Sequence, residues 1–331
     1  MKKFRTNLML GGVLLCLMAI AGLTSCNHDL SDHFGVSDNP SEGGTPTVDD
    51  VIKYGFKVTD LNGDDKTTLV TSLKMSTDDG PIAEAEVSGG KITIKAEKLS
   101  GITSAIDFWF EAEIGGKPYI AKVNINPTTL SPETDKTLTM ATLGDMILDD
   151  GTFAASSSAG TKVAMIAYVG SDACEAGDAP YNHGLALALS NASTSAQWCN
   201  QTTGPCLVSQ KNSEAEAQGD MAGIANTDYL IDHAGSHIHS AATAARNFSV
   251  AHPTGTTEWF LPSGGQWQKM IDAYGLTNLK ATAGDYNGML GTYYLSTENT
   301  ASLAWGIRFS DGKWLKITKN IGYKVRACLA F

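Results

Sequence analysis

The first 26 residues constrain the rest of the chain most, because they decide which part of it is left to fold and where. Lys2, Lys3 and Arg5 form a positive start, and Leu8 to Leu23 is an apolar run without a charge. Leu23-Thr24-Ser25-Cys26 closes the run with small residues ahead of a cysteine. Charge, then an apolar core, then small residues is the order of a secretory signal. The run is short of the ~20 residues that span a bilayer as a helix. The expectation is a cleaved leader over residues 1–25 and an exported remainder.

The Leu-Thr-Ser-Cys ending resembles the lipobox of bacterial lipoproteins, in which the cysteine is acylated and becomes the mature N-terminus. That resemblance implies lipid attachment at Cys26 and a membrane, the outer membrane of a Gram-negative cell, as the first partner. Two or three acyl chains hold a protein on a bilayer stably. Residues 26–49 are rich in Ser, Asp, Asn, Gly, Pro and Thr and poor in apolar side chains. Such a stretch cannot bury a core and is read as a flexible tether.

Charge narrows the partners further. The 331 residues hold 24 Lys and Arg against 35 Asp and Glu, a formal net charge of −11, and losing Lys2, Lys3 and Arg5 makes the remainder more acidic. Phosphate backbones repel such a surface, so nucleic acid is not expected as a partner.

From residue 50 the pattern is β. Tyr54–Val58 reads as a short strand, and Asn62-Gly63 as a turn. Ala85–Val87 and Lys91–Ala96 flank Gly89-Gly90, while Ala105–Ile114 and Lys117–Ile125 flank Gly115-Gly116. Ile106, Phe108, Phe110 and Ala112 alternate onto one face. Short strands joined by Gly-Gly turns predict an all-β sandwich, immunoglobulin- or transthyretin-like, over 50–137. Asp60-Leu-Asn62-Gly-Asp64 has oxygens spaced as in a calcium loop, but Asp65 and Thr71 stand where that loop needs Gly and Glu, so a polar turn is expected. The Pro/Thr/Ser/Glu stretch 126–135 marks the boundary.

An α+β domain is expected over 138–331. Val163–Val169 and Leu185–Leu189 are strand candidates, and the polar, Ala-rich region 211–256 reads as loops with a helical piece around Ser240–Arg246. Ser263 caps a helix carrying Trp267, Met270, Ile271 and Tyr274, with Gly275 at its end. Short strands follow at Gly291–Ser296, Ala304–Phe309, Trp314–Thr318 and Tyr323–Leu329, with Asp311-Gly312 as a hairpin turn.

Several segments occur in a recognisable order: Gly144-Asp-Met-Ile-Leu-Asp-Asp-Gly-Thr152, Val163–Val169, Gly184–Leu189 with Trp198 downstream, Trp259-Phe-Leu-Pro-Ser-Gly-Gly-Gln-Trp267, Tyr294–Glu298, Phe309-Ser-Asp-Gly312 and Lys324–Phe331. This order resembles the C-terminal domain of fimbrillin-like surface lipoproteins, within the broad group related to C-type lectins and the formylglycine-generating-enzyme fold. The resemblance implies a lipid-anchored adhesin or an accessory or tip pilin-like subunit. A glycan, matrix component or pilin would then bind to C-terminal loops over about 211–256 and 285–299. An exported enzyme of the formylglycine-generating group and a purely structural fimbrial subunit stay as alternatives. Stalk subunits of the family are cut by an arginine-specific protease near the start of the mature domain. This chain has no arginine between Arg5 and Arg246, which favours a tip, accessory or independent lipoprotein. The calcium-lectin strings Glu-Pro-Asn, Gln-Pro-Asp and Trp-Asn-Asp do not occur. The paired C-terminal cysteines of the formylglycine enzymes are not there either; Cys328 stands alone in an apolar segment, where a thiol is inert. No cofactor and no enzymatic activity are expected.

Candidate ligand-binding residues are Trp198, beside Cys199 in a polar setting, and on the expected loops His237, His239, Asp285, Tyr286, Asn287 and Glu298. Trp259, Trp267, Trp305 and Trp314 fall in strand and helix patterns and are read as core. Beyond Cys16 and Cys26 the cysteines are Cys174, Cys199, Cys206 and Cys328. Four allow three pairings, which spacing does not decide. Cys199–Cys206 across Gly204-Pro205, with Cys174–Cys328 as a long staple, is the preferred set. No Cys-x2-Cys exists, and the spacing C-x24-C-x6-C does not fit a zinc ribbon. His233, His237 and His239 with Asp232 are the densest group of other ligands. His237 and His239, two apart, suit an extended segment, but no His-Glu-x-x-His accompanies them and no metal is assigned.

Overall fold

Among the described residues β-strands outweigh helices, and they form three sheets. The structure is a computed structural model that describes residues 52–132, 134–175, 180–203, 206–207, 209–233, 235 and 237–331. The leader 1–25, the lipid-attachment residue Cys26 and the tether 26–49 lie outside the described residues.

The first sheet has eight strands: β1 Lys53–Asp60, β2 Val70–Thr77, β3 Gly80–Glu84, β4 Glu86–Ser88, β5 Lys91–Lys95, β6 Ile106–Ile114, β7 Lys117–Ile125 and β8 Lys136–Thr142. Their spatial order is β3-β2-β6-β7-β8-β1-β5-β4. β8 runs parallel to β1 from Phe56↔Lys136 to Asp60↔Met140, then meets β7 only at Tyr119↔Thr142 and Ile120↔Ala141. The sheet folds over itself there, and the two halves close on Phe56, Val58, Leu73, Met75, Ile92, Ile94, Phe108, Phe110, Leu138 and Met140. The Gly-Gly turns are real hairpins: Gly89, Gly90, Gly115 and Gly116 all have positive φ, which the tight β4–β5 and β6–β7 connections need and side chains resist. Asp60 Oδ1 accepts the N–H groups of Asn62 (2.9 Å) and Asp64 (3.0 Å), so its carboxylate is spent on shaping a turn.

Sheet two takes β9 Met146–Leu148, β10 Phe153–Ala154, β11 Lys162–Val169 and β12 Gly184–Ala188, and is completed by the last strand of the chain. Next come β13 Ser193–Gln197 and five helices: α1 Glu214–Gln218, α2 Gly223–Asp232, α3 Ser240–Arg246, α4 Gly264–Tyr274 and α5 Leu276–Lys280. The chain ends in β14 Thr292–Glu298, β15 Leu303–Arg308, β16 Lys313–Thr318, β17 Gly322–Val325 and β18 Cys328–Ala330. Sheet two is ordered β10-β9-β11-β12-β18, and sheet three β13-β17-β14-β15-β16. The helix predicted after Ser263 is α4; Gln266 reaches back to accept the Ser263 N–H at 3.0 Å, and Gly275 ends it at φ 87°. The α3 prediction coincides with the structure. Region 211–256, expected to be loops otherwise, also holds α1 and α2. Ser213 and Glu216 form a capping box that starts α1, a signal the polar composition hid.

β6 is buried along one face and, on the other, at Trp109. Phe108 and Phe110 point into the sandwich, while Trp109, on the opposite face, joins the core shared with sheets two and three. The Trp109 ring stacks on His183 at 4.4 Å and lies 6.2 Å from the Phe331 ring. Glu111 Oε1 holds the His183 Nδ1 at 3.0 Å. No helix among the described residues is long and apolar enough to cross a membrane.

Candidate functional site

The two pairs that the sequence offered separately, Cys199 with Cys206 and His237 with His239, meet at one place. Each of the four residues contributes one ligand atom, and the four atoms lie within 4.8 Å of one another. Cys199 stands two residues past the end of β13. Its N–H donates to the Lys319 carbonyl (3.1 Å), and the neighbouring Trp198 indole donates to the Leu295 carbonyl on β14 (2.8 Å). These bonds fix the first corner to sheet three.

The histidines enter from the segment ahead of α3. Asn200 fastens it: its N–H donates to the Ile238 carbonyl (3.0 Å) and its Oδ1 accepts the Ile238 N–H (2.9 Å). In an extended segment side chains two apart share a face, so His237 and His239 turn to the cysteines together while Ile238 is exposed. His239 Nδ1 lies 3.3 Å from the Trp198 carbonyl. A carbonyl only accepts, so Nδ1 carries the proton and Nε2 is left as the ligand atom. His237 Nδ1 stands 3.7 Å from Cys199 Sγ and 3.8 Å from Cys206 Sγ.

The Cys206 corner hangs on a buried ion pair. Glu298, at the end of β14, accepts the N–H groups of Cys206 (2.8 Å) and Leu207 (2.7 Å) through its two oxygens. The same carboxylate pairs with Lys319, and both side chains are fully buried. Lys319 Nζ also donates to the Ala301 carbonyl (2.8 Å), sits 3.6 Å from Cys206 Sγ, and lies 5.0 Å from the Trp198 ring centroid. The Cys206 thiol is pushed up to about 12, chiefly by burial; Lys319 pulls against this, and Cys199 and Glu298 add to it. Burial also lowers His239 below its ordinary value, against the Trp198 carbonyl, which raises it. The protein alone therefore favours the uncharged forms at these two corners.

The expected ligand-binding surface is not formed as drawn. Trp198 is 1% exposed and serves as a wall of the Cys/His cluster. Tyr286 is buried under the Arg326 guanidinium and donates to the Leu279 carbonyl (3.3 Å). Glu298 belongs to a strand and to the ion pair above. Thr297 and Glu298 read as loop because they are polar, yet both are buried in β14. Asp285 and Asn287 are exposed; Asp285 pairs with Lys162 at 3.0 Å, and the Asn287 carbonyl accepts from Arg326 at 2.7 Å.

The expected disulfides are absent as well. Cys199, Cys206 and Cys328 are free thiols, so neither Cys199–Cys206 nor Cys174–Cys328 is bonded. Cys199 and Cys206 face the two histidines, and Cys328 sits wholly buried in β18. Burial, and next the nearby Cys174, raise the Cys328 thiol well above its ordinary value. Lys319 and Asn200, which hold the cluster together, carried no signal in the sequence: a lysine after an alternating strand and an asparagine beside a cysteine are ordinary surface residues until tertiary packing buries one and pairs the other.

No family model and no curated protein matches the chain. Among solved structures, a fimbrial protein from Bacteroides ovatus ATCC 8483 is similar at 14% identity and a TM-score of 0.46, over 84% of this chain and 69% of that one.

Proposed function

We propose that this chain is a non-enzymatic, lipid-anchored surface protein that acts as an accessory or tip pilin-like subunit. The observation that carries the reading is the leader: a positive start, an uncharged apolar run and Leu23-Thr24-Ser25-Cys26. Acylated at Cys26, the chain would be held on the outer membrane. The order of motifs from Gly144 to Phe331 supports a C-terminal domain of the C-type-lectin and formylglycine-generating fold group. Within that group the burial of Cys328 favours display over thiol chemistry, because a reactive thiol must be reachable and easily ionised. A glycan, matrix protein or pilin partner would meet the exposed part of the chain around Asp285, Asn287 and Leu290, the last 61% exposed.

Mass spectrometry of the chain from isolated envelopes tests the anchor. The expected result is a mature N-terminus at Cys26 bearing acyl chains, lost in Cys26→Ser, together with cleavage by protease added to intact cells. An unmodified N-terminus, or a chain recovered from the cytosol, sinks the reading. A glycan and matrix array, with Asp285→Ala and Asn287→Ala variants, tests the adhesive part.

A further inference from the structure

The Cys/His cluster has the chemistry and dimensions of a structural metal site. We propose that Cys199, Cys206, His237 and His239 bind one zinc ion, and that this ion ties the segment after β13 to the segment before α3.

Donor type comes first. Two sulfurs and two imidazole nitrogens form a set that tetrahedral zinc takes. Geometry comes second. With Zn–S near 2.3 Å and Zn–N near 2.0–2.1 Å, a tetrahedron has edges of about 3.4–3.8 Å. The two sulfur-to-His237 Nδ1 separations are 3.7 and 3.8 Å, and no pair of ligand atoms exceeds 4.8 Å. A Cys199–Cys206 disulfide would leave His237 equidistant from two sulfurs it has no reason to approach.

The surroundings are those of a metal centre too. A ligating histidine usually gives its second ring N–H to a carbonyl or carboxylate, which fixes ring orientation. His239 does this with the Trp198 carbonyl. Thiolates need donors: Cys199 Sγ accepts the Gln201 N–H at 3.4 Å, and Cys206 Sγ has Lys319 Nζ at 3.6 Å. On binding, both thiols lose their protons to solvent and two Zn–S bonds form. Two thiolates and one divalent cation then sum to zero charge in a largely buried place, so binding leaves no net charge out of water. Half-buried His237 and Cys206 leave a way in from solvent.

Four protein ligands fill the coordination sphere. The Glu298 carboxylate beside the cluster is spent on two backbone N–H groups and Lys319. A catalytic zinc keeps an open position, so this one is assigned to holding structure. Without it, the cluster loops are fastened chiefly by Asn200 and Glu298.

The full chain, purified in detergent without reductant and equilibrated with a slight excess of zinc, gives the test. The expected result is about one zinc per chain, with Cys199 and Cys206 alkylated only after a chelator is added. Cobalt(II) in place of zinc should show tetrahedral bands with a thiolate charge-transfer band, and Cys199→Ser or Cys206→Ser should remove the latter. His239→Gln, which keeps size and polarity, should weaken zinc binding at least about tenfold. The wild-type readings keep the test decisive if a variant misfolds. A Cys199–Cys206 disulfide in that preparation overturns the assignment. So does failure to retain zinc, or zinc retained unchanged in the Cys199→Ser, Cys206→Ser double variant.

Discussion

Lys319 and Glu298 form an ion pair with no exposed surface on either side chain, and the carboxylate of that pair carries the backbone of Cys206 and Leu207. Removing one partner of such a pair strands a charge in a place without water, and typically costs about 3–5 kcal/mol. Lys319→Met is expected to lose stability in that range by urea unfolding, and to lose zinc binding as well. If the variant unfolds at the wild-type midpoint, Glu298 is not held by Lys319 in solution.

Trp109 is 3% exposed and lies between the sandwich and the sheets that follow, stacked on His183. Truncating a buried aromatic residue typically costs about 3–5 kcal/mol. Trp109→Ala is expected to lower the unfolding free energy by that much and so shift the denaturation midpoint down, whereas truncating exposed Leu69 on the sandwich surface (52% exposed) should change it little. A midpoint within error of wild type would mean that the two parts do not share this core.

Asn200 bonds twice to Ile238, once through its side chain and once through its backbone. Asn200→Ala removes only the side-chain bond, worth about 1 kcal/mol. Zinc affinity measured against a competing chelator dye should drop about tenfold, in the manner of an outer-shell partner, while global unfolding changes little. Unaltered affinity would show that the histidine segment orients itself unaided.

Asp145 gives a pH dependence of definite sign. Burial raises its carboxyl above the ordinary 3.8, against the Thr142 N–H that it accepts, and the Asp60 charge raises it further. The folded chain therefore holds this proton more tightly than the unfolded chain. Its contribution is fully present below pH 3.8 and is lost as pH rises through the folded value. Asp145→Asn keeps an oxygen for Thr142 and carries no charge. Its stability should fall less than wild type as pH rises through the mildly acid range, measured by thermal melts in a pH series. Parallel wild-type and variant curves would contradict the assignment.

Much of the strand pattern could be read directly, and the exceptions have local causes. Phe108, Phe110 and Ala112 alternate cleanly and lie where the pattern put them. β2 escaped notice because its register shifts between Val70 and Ser72, so buried Val70 and Leu73 stand three apart and break the two-residue period. β14 was cut short at Ser296 because it is buried on both faces and satisfies Thr297 and Glu298 with Asp220 and Lys319 rather than with water. Of the cluster, each half was visible and the whole was not. A six-residue gap suggested a disulfide and a one-residue gap suggested a loop ligand pair, while the long interval from Cys206 to His237 hid their meeting. That interval contains α1 and α2, and only their packing returns the chain to Cys199.

The parallel pairing of β1 with β8 sets a timetable for the growing polypeptide. β1 leaves the ribosome early, yet its inner side chains Phe56 and Val58 stay uncovered until Leu138 and Met140 arrive some eighty positions later. Pairing over such a separation is slow and exposes sticky edges while it waits. A nascent chain halted before residue 136 should therefore be a client for holdase chaperones, and one released after residue 142 should have far less need of them.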